Sequence, residues 1–305
     1  MRTIGEIIYK EIQRISPSQY ISLRNCPYKS LLAEAMDNKP LLPFSANAYY
    51  GIVLHKLLEQ ISKREIRNEE EFNKSFMVEV RSVEDKLIDL SYNFLVPLQK
   101  KVKDFTMKKI LLKEHMQNVY EKSTSPSSVK FYSENWYESN DKLIGGKIDL
   151  VIDENGYIRI IDFKTGAISE GVLDDYGEVY IDVKEEYKEQ LKLYAYLYFE
   201  KTGKYPDELS LVDLMKQKYI IEFTEDDCKS IAIDAKKLLK DANNSIECKK
   251  FEAKPSEVNC KYCLYRPACS YYLNYLSETF STNDVVGTIL RVEQFQNGSI
   301  TICLM

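Results

Sequence analysis

The chain has 305 residues, and 42 Lys+Arg against 47 Asp+Glu give a formal net charge of −5. With 44% hydrophobic and 29% charged residues, the composition excludes wholesale disorder and a collagen-like repeat. No run of about 18 apolar residues occurs, so no membrane partner or span is expected, and the acidic balance argues against indiscriminate nucleic-acid binding.

Glu6 stands where a signal peptide would need apolar residues, which predicts a cytoplasmic protein. Ser16-Pro17-Ser18-Gln19 predicts a helix start, with Ser16 as N-cap, Pro17 at the first helical position and Gln19 closing a capping box. A second helix is expected over 46–64, with Val53, Leu54, Leu57, Leu58 and Ile61 on its apolar face. From 69 to 121 the pattern stays helical and highly charged, with a break at Pro97. Residues 122–128 read as a flexible linker.

Beyond the linker the period changes from that of a helix to that of a strand. Strands are expected over 129–138, 143–153 and 157–164, the last two turned at Asn155-Gly156. A helix over 184–201, strands over 209–215 and 219–223, and a helix opened by Thr224-Glu225-Asp226-Asp227 follow. The chain ends in a hairpin, 285–294 and 299–303, turned at Asn297-Gly298. Mixed strands with flanking helices predict an α/β or α+β core carrying a helical insertion.

The most informative segment runs from Gly145-Gly146-Lys147-Ile148-Asp149 to Asp162-Phe163-Lys164. Residues two apart share a strand face, so Asp162 and Lys164 project together. A two-residue turn at Asn155-Gly156 pairs residues whose numbers sum to 311, which sets Asp149 opposite Asp162. Carboxylates about 5 Å apart repel by roughly 3 kcal/mol at an effective dielectric of ~20. Such a pair needs a counter-charge: Lys164, or a hard divalent cation such as Mg²⁺ or Mn²⁺. A hairpin with a solvated polar face is the competing reading.

Seven cysteines include Cys260, Cys263 and Cys269 within ten residues, while Cys26, Cys228, Cys248 and Cys303 are scattered. Clustered thiols in a reducing compartment point to metal ligation rather than disulfides. Three thiolates fall one short of a closed tetrahedral site. Cys228, Cys248 and Cys303 are expected to pack as small hydrophobes, and His115 to be solvated. Lys100, Lys101, Lys103, Lys108, Lys109 and Lys113 concentrate positive charge on the insertion, either as a solvated face or as phosphate contacts.

Asp149 followed by Asp162-Phe163-Lys164 resembles the signature of the PD-(D/E)XK nuclease superfamily. Gly51-Ile52-Val53-Leu54-His55, Gln190-Leu191-Lys192-Leu193-Tyr194 and the cysteine pattern are similar to its RecB-like branch. The iron–sulphur members of that branch include the AddB nuclease domain and the CRISPR-adaptation exonucleases. The resemblance implies a restriction-endonuclease-like α/β core, a mixed central sheet flanked by helices, with an iron–sulphur subdomain. It divides the chain into a nuclease domain over 1–280, with the helical insertion at 66–128 and the cluster region at Cys26 and 257–275, and a hairpin extension over 281–305.

The resemblance further implies catalytic Asp149, Asp162, Lys164, Gln190 and Tyr194, and a Mg²⁺ or Mn²⁺ site at His55, Asp149, Asp162 and Phe163. It nominates Cys26 as fourth ligand with Cys260, Cys263 and Cys269 of a 4Fe–4S cluster, zinc being the alternative. The activity implied is a DNA exonuclease or end-processing nuclease in repair, CRISPR adaptation or anti-phage defence. The alternative is a catalytically weak protein that binds DNA ends or a helicase. No G-x-x-x-x-G-K-S/T loop occurs, so unwinding would need a separate helicase or another subunit of a nuclease complex. The DNA expected is single-stranded or has free ends.

Overall fold

Local signals place most elements where the sequence predicts them. A computed structural model of the chain describes residues 5–121, 129–173, 179–279, 284–285 and 287–305; the predicted linker at 122–128 lies outside them. The chain forms two compact units. The larger comprises Ile12–Ile21 and Pro43–Asp241, the smaller Met1–Glu11, Ser22–Leu42 and Ala242–Met305.

The capping box opens α1 (Pro17–Asn25) as expected. Ser16 N–H donates to Gln19 Oε1 at 2.8 Å, and Gln19 N–H to Ser16 Oγ at 3.2 Å. The predicted second helix is α3 (Ala46–Ser62), capped by Ser45. The helical run becomes α4 (Glu69–Asp89), α5 (Leu98–Lys101) and α6 (Phe105–Glu121), broken around Pro97. Leu54, Leu57, Ile61, Phe72, Phe76 and Phe105 of these helices pack with Leu150, Ile152 and Phe163 in one hydrophobic cluster.

The strands are β1 (Val129–Glu138), β2 (Gly145–Glu154), β3 (Tyr157–Lys164), β6 (Glu208–Asp213) and β7 (Lys218–Ile221), ordered β1-β2-β3-β6-β7 in one sheet. Only β3 and β6 run parallel; the other neighbours are antiparallel. The sheet is therefore mixed, as expected. Between β3 and β6 the chain forms a hairpin that the pattern did not reveal, β4 (Ser169–Leu173) with β5 (Val179–Val183), and then α7 (Glu185–Thr202). Helix α7 packs on β1, β2, β3 and β6, burying Leu191, Leu193, Ala195 and Leu197. The helix α8 (Glu225–Cys248) starts at the predicted box, in which Thr224 and Asp227 exchange N–H donors.

In the smaller unit, α2 (Pro27–Ala35), α9 (Glu257–Lys261) and α10 (Ser270–Glu278) surround the cysteines. Strands β8 (Ile289–Gln294) and β9 (Ile300–Leu304) form the terminal hairpin. The loop differs from the one expected. Phe295 N–H donates to the Ser299 carbonyl and Gly298 N–H to the Phe295 carbonyl, so three residues turn the chain and only Gly298 has positive φ. That is a three-residue loop with glycine at its left-handed position.

Candidate active site

Asn155 and Gly156 both adopt positive φ, 56° and 90°, as a two-residue Asn-Gly turn requires. The β2–β3 ladder keeps the register that the turn dictates, from Glu154–Tyr157 to Leu150–Ile161. One step further, where Asp149 was expected to face Asp162 across a continuous ladder, main-chain pairing stops. Asp149 Oδ2 instead accepts the Phe163 N–H at 2.9 Å. The peptide donor offsets part of the charge that two facing carboxylates would otherwise bring together.

Asp162 is 3% exposed. Lys164 Nζ lies 2.7 Å from Asp162 Oδ2, but off the hydrogen-bonding direction, so that buried oxygen has an ionic neighbour and no hydrogen bond. The same ammonium donates to Gln190 Oε1 at 2.9 Å and lies 4.4 Å from the Tyr187 ring centroid. Gln190 Nε2 donates in turn to Tyr194 Oη at 3.3 Å. Tyr187, Gln190 and Tyr194 occupy one stripe of α7. A Cβ on Gly146 would come within 3.1 Å of Tyr194 Cε1 and 2.8 Å of Pro17 Cδ; the bare backbone lets this stripe close on β2.

His55 and Gly51 share a face of α3, and a Cβ on Gly51 would stand 3.3 Å from Thr165 Oγ1. The helix thus approaches the end of β3, close enough for the Asp162 charge to act on His55. Burial nevertheless pushes the imidazole pKa below its usual value, favouring the neutral form that ligates metals. Phe163 contributes main-chain atoms only, since its ring is buried in the helical core.

Glu134 is the acidic residue that sequence reasoning missed. It interrupts the β1–β2 register between Ser133–Leu150 and Asn135–Ile148, at the position opposite Asp149, with φ 57°. It ion-pairs with Lys147, and its charge acts on Asp149, His55 and Tyr194. A turn does close β1 onto β2, with Ser139 N–H donating to the Ile144 carbonyl and Lys142 N–H to the Ser139 carbonyl, but no Asn-Gly pair marks it in the sequence, so the register was not counted.

Burial raises the Asp149 pKa well above the carboxylate range, and the Asp162 charge raises it further. Tyr194 is pushed up for the same two reasons, burial first. Among the described residues, no three His, Cys, Asp or Glu side chains are already drawn together as a group that could hold a metal ion. The lysine and a peptide N–H occupy the oxygens that would turn to it. The donor set still fits a hard divalent cation: a buried carboxylate oxygen without a hydrogen bond, a second carboxylate that burial has made reluctant to ionise, and an imidazole kept neutral.

In the smaller unit Cys26, Cys260, Cys263 and Cys269 line one pocket with Lys29, Arg266 and Tyr272. All are free thiols. Cys26 precedes α2, and Cys269 Sγ accepts the Tyr272 N–H at the start of α10. Burial raises the thiol pKa of Cys260, Cys263 and Cys269, the last to about 11.

Three expectations need correction. His115 is not solvated: its ring lies 5.9 Å from that of Phe163, and burial lowers its pKa to about 4. Cys228 is buried as expected, but Cys248 and Cys303 are exposed, because they fall at the end of α8 and on the open terminal hairpin. Half of the insertion lysines are held by protein groups. Lys108 donates to the Thr165 carbonyl, Lys109 lies over Phe76, and Lys113 pairs with Glu69.

The family model of the PD-(D/E)XK nuclease superfamily matches residues 14–270. Among solved structures, the chain is similar to that of a candidate exonuclease from Eubacterium rectale. The identity is 11% over 92% of this chain and 91% of that one, with a TM-score of 0.50, a likeness of fold. The crystal structure of SSO0001 matches at 13% identity over 86% of this chain and 88% of that one, with a TM-score of 0.32. The comparison with curated proteins finds no match.

Proposed function

We infer, because the chain belongs to the PD-(D/E)XK nuclease superfamily, that it is a divalent-metal-dependent deoxyribonuclease acting on DNA with free ends. The observation that carries this reading is the convergence of Asp149, Asp162 and Lys164 with Gln190 and Tyr194 where the β2–β3 ladder gives way. Nucleases of this superfamily generally use Mg²⁺ or Mn²⁺. Asp149, Asp162, His55 and the main chain at Phe163 would hold the cation, with Glu134 as a further carboxylate beside them. When bound, the cation supplies charge that polarises a phosphodiester and acidifies water.

The chain's own groups do the rest. The Lys164 ammonium, beside the carboxylates that would hold the cation, would face a bound phosphate and offset charge developing in the transition state. Gln190 orients that ammonium, and Tyr194 orients Gln190. Neutral His55 offers a lone pair rather than a repelling charge. Exonucleolytic action, work beside a separate helicase, and a place in DNA repair, CRISPR adaptation or defence are the finer parts of the proposal.

We assign the cysteine pocket to a structural 4Fe–4S cluster. Four thiols around one pocket supply the ligand count, and Lys29 and Arg266 offset part of the burial that raises the Cys263 thiol. Seven free thiols suit a reducing compartment, the cytoplasm. Anaerobically purified protein should contain iron and acid-labile sulphide that Cys26→Ser loses; zinc without sulphide would overturn the cluster.

The activity is tested with end-labelled single- and double-stranded DNA, linear and circular, with Mg²⁺, Mn²⁺ or chelator. Metal-dependent loss of linear DNA supports the reading. Circles cut as fast as linear DNA overturn the need for ends. No cleavage under any condition, or full cleavage by folded Lys164→Ala, overturns the nuclease.

A further inference from the structure

Lys164 Nζ has three close neighbours of different kinds: an ionic one, a hydrogen-bond acceptor and a ring face. Asp162 Oδ2 lies at 2.7 Å, Gln190 Oε1 at 2.9 Å, and the Tyr187 ring centroid at 4.4 Å. We propose that Tyr187 is a positioning residue, whose ring face keeps the Lys164 ammonium in place when Asp162 turns to a cation. The proposal rests on the nuclease reading above and adds to it a residue outside the sequence motifs.

The physical need is specific. Lys164 and Asp162 lean on each other in this arrangement, yet Asp162 is also needed by the metal. A cation would weaken that pairing and repel the ammonium. Two neutral partners then remain, the Gln190 amide dipole and the negative face of the Tyr187 ring. A ring attracts the charge without engaging an N–H as firmly as a carboxylate does, so a proton stays available to a phosphate oxygen.

Tyr187 is placed to do this. It sits in the first turn of α7, where its own N–H donates to the Lys184 carbonyl at 3.0 Å. It lies one turn before Gln190 on the same stripe. The Lys184 ammonium lies 5.7 Å from the same ring, near the outer limit of such contacts, so Lys164 holds the closer place. Burial raises the phenol pKa, so the hydroxyl stays protonated near neutral pH and the ring is the part that acts.

The test compares Tyr187→Leu and Tyr187→Phe in the full chain. With Mg²⁺ and linear DNA, Tyr187→Leu should lower kcat about 5- to 30-fold while leaving KM for DNA and the melting temperature near wild type. Tyr187→Phe keeps the ring and should restore kcat. A second readout needs no cleavage. Reductive methylation with isotopically labelled formaldehyde keeps each lysine charged, and the Lys164 methyl signal is the one lost in Lys164→Arg. That signal should be shifted upfield by the ring in wild type and Tyr187→Phe, and unshifted in Tyr187→Leu. Unchanged kcat in Tyr187→Leu, or no ring shift in the wild type, overturns the assignment. Equal loss of kcat in Tyr187→Phe overturns it too, because the ring would not be what matters. A wild type that cuts no DNA but keeps the shift overturns the nuclease reading, leaving the contact without its catalytic purpose.

Discussion

Two hairpins in this chain turn at the same dipeptide and come to opposite ends. In β2–β3, Asn155 and Gly156 both take positive φ and close a two-residue turn. In β8–β9, only Gly298 does, and the loop holds three residues. The first hairpin lies inside a five-stranded sheet, with Leu150, Ile152, Ile158 and Ile160 buried. The second is a sheet of its own, with Ile289, Leu290, Val292, Ile300 and Ile302 each exposed by half or more. Turn chemistry alone therefore fixes neither loop length nor burial; neighbouring strands and helices decide both. The buried hairpin also carries the acidic residues, at the end where its ladder is released.

The sharpest way to break this contrast is to remove the acids or the tail. Asp162→Ala or Lys164→Ala should reduce metal-dependent cleavage by roughly 10³-fold or more, with circular dichroism and melting showing the fold retained. Deleting residues 287–305 should leave cleavage by the isolated chain near wild type. A tail deletion as damaging as Lys164→Ala would mean that both hairpins serve the chemistry.

A matched pair of glycine substitutions tests the folding side. Gly156 has φ 90° and Gly298 has φ 82°, and neither would meet an atom within 4 Å on gaining a Cβ. Alanine therefore costs backbone strain alone at both, about 1–2 kcal/mol. Gly156→Ala should lower the main melting transition, because its strands are part of the central sheet. Gly298→Ala should leave that transition in place and loosen only the tail, seen as faster amide exchange at 289–304. Equal shifts of the main transition would show the tail to be part of the same cooperative unit.

Legibility followed the same divide. The two-residue turn and the alternation of β2 and β3 let the register be counted, which brought Asp149, Asp162 and Lys164 to one end of the hairpin. Gln190 and Tyr194 were pointed to by the resemblance, and their spacing of four sets them on one face of α7. Glu134 was hidden because the turn at 139–144 that sets it opposite Asp149 carries no two-residue signature from which to count. Tyr187 was hidden because a cation–ring contact depends on tertiary placement rather than spacing. Helix α2 was not predicted, although Pro27 stands at its first helical position. The burial of His115 depends on Phe163 crossing from the sheet to α6, which no local pattern encodes.

The acids also predict a pH dependence. The folded pKa of Asp149 is raised, first by burial and then by Asp162. The native state therefore binds a proton that the unfolded chain releases near pH 4. Without metal, stability from this group is fullest below that pH and falls as pH rises toward the raised folded value. Asp149→Asn should flatten this decline, so that the variant's advantage in melting temperature grows with pH. Excess Mg²⁺ should stabilise the wild type most at the alkaline end of the window. A variant whose melting curve runs parallel to wild type across the window would remove the electrostatic account of the site.

The smallest effect tests what lies behind β3. His115 is half-buried against the Phe163 ring, and burial, with Lys216 nearby, lowers its pKa to about 4. Its sign is opposite to that of Asp149. Above an unfolded pKa of about 6.5 the imidazole is neutral in both states, and its contribution is fully present. Below that pH the unfolded chain takes up a proton that the native state refuses, so stability drains away until the folded value is reached. His115→Phe keeps a ring beside Phe163 and removes the titration. The melting-temperature difference between variant and wild type should be constant above about pH 6.5 and shift in favour of the variant as pH falls to about 4. Since Phe163 also presents the N–H that holds Asp149, the substitution distinguishes a packing partner from a participant. Unchanged cleavage near neutral pH, with only the acid limb of stability altered, is the outcome expected of packing. A loss of cleavage near neutral pH would mean that the α6 face of β3 shapes the site as directly as the α7 face does.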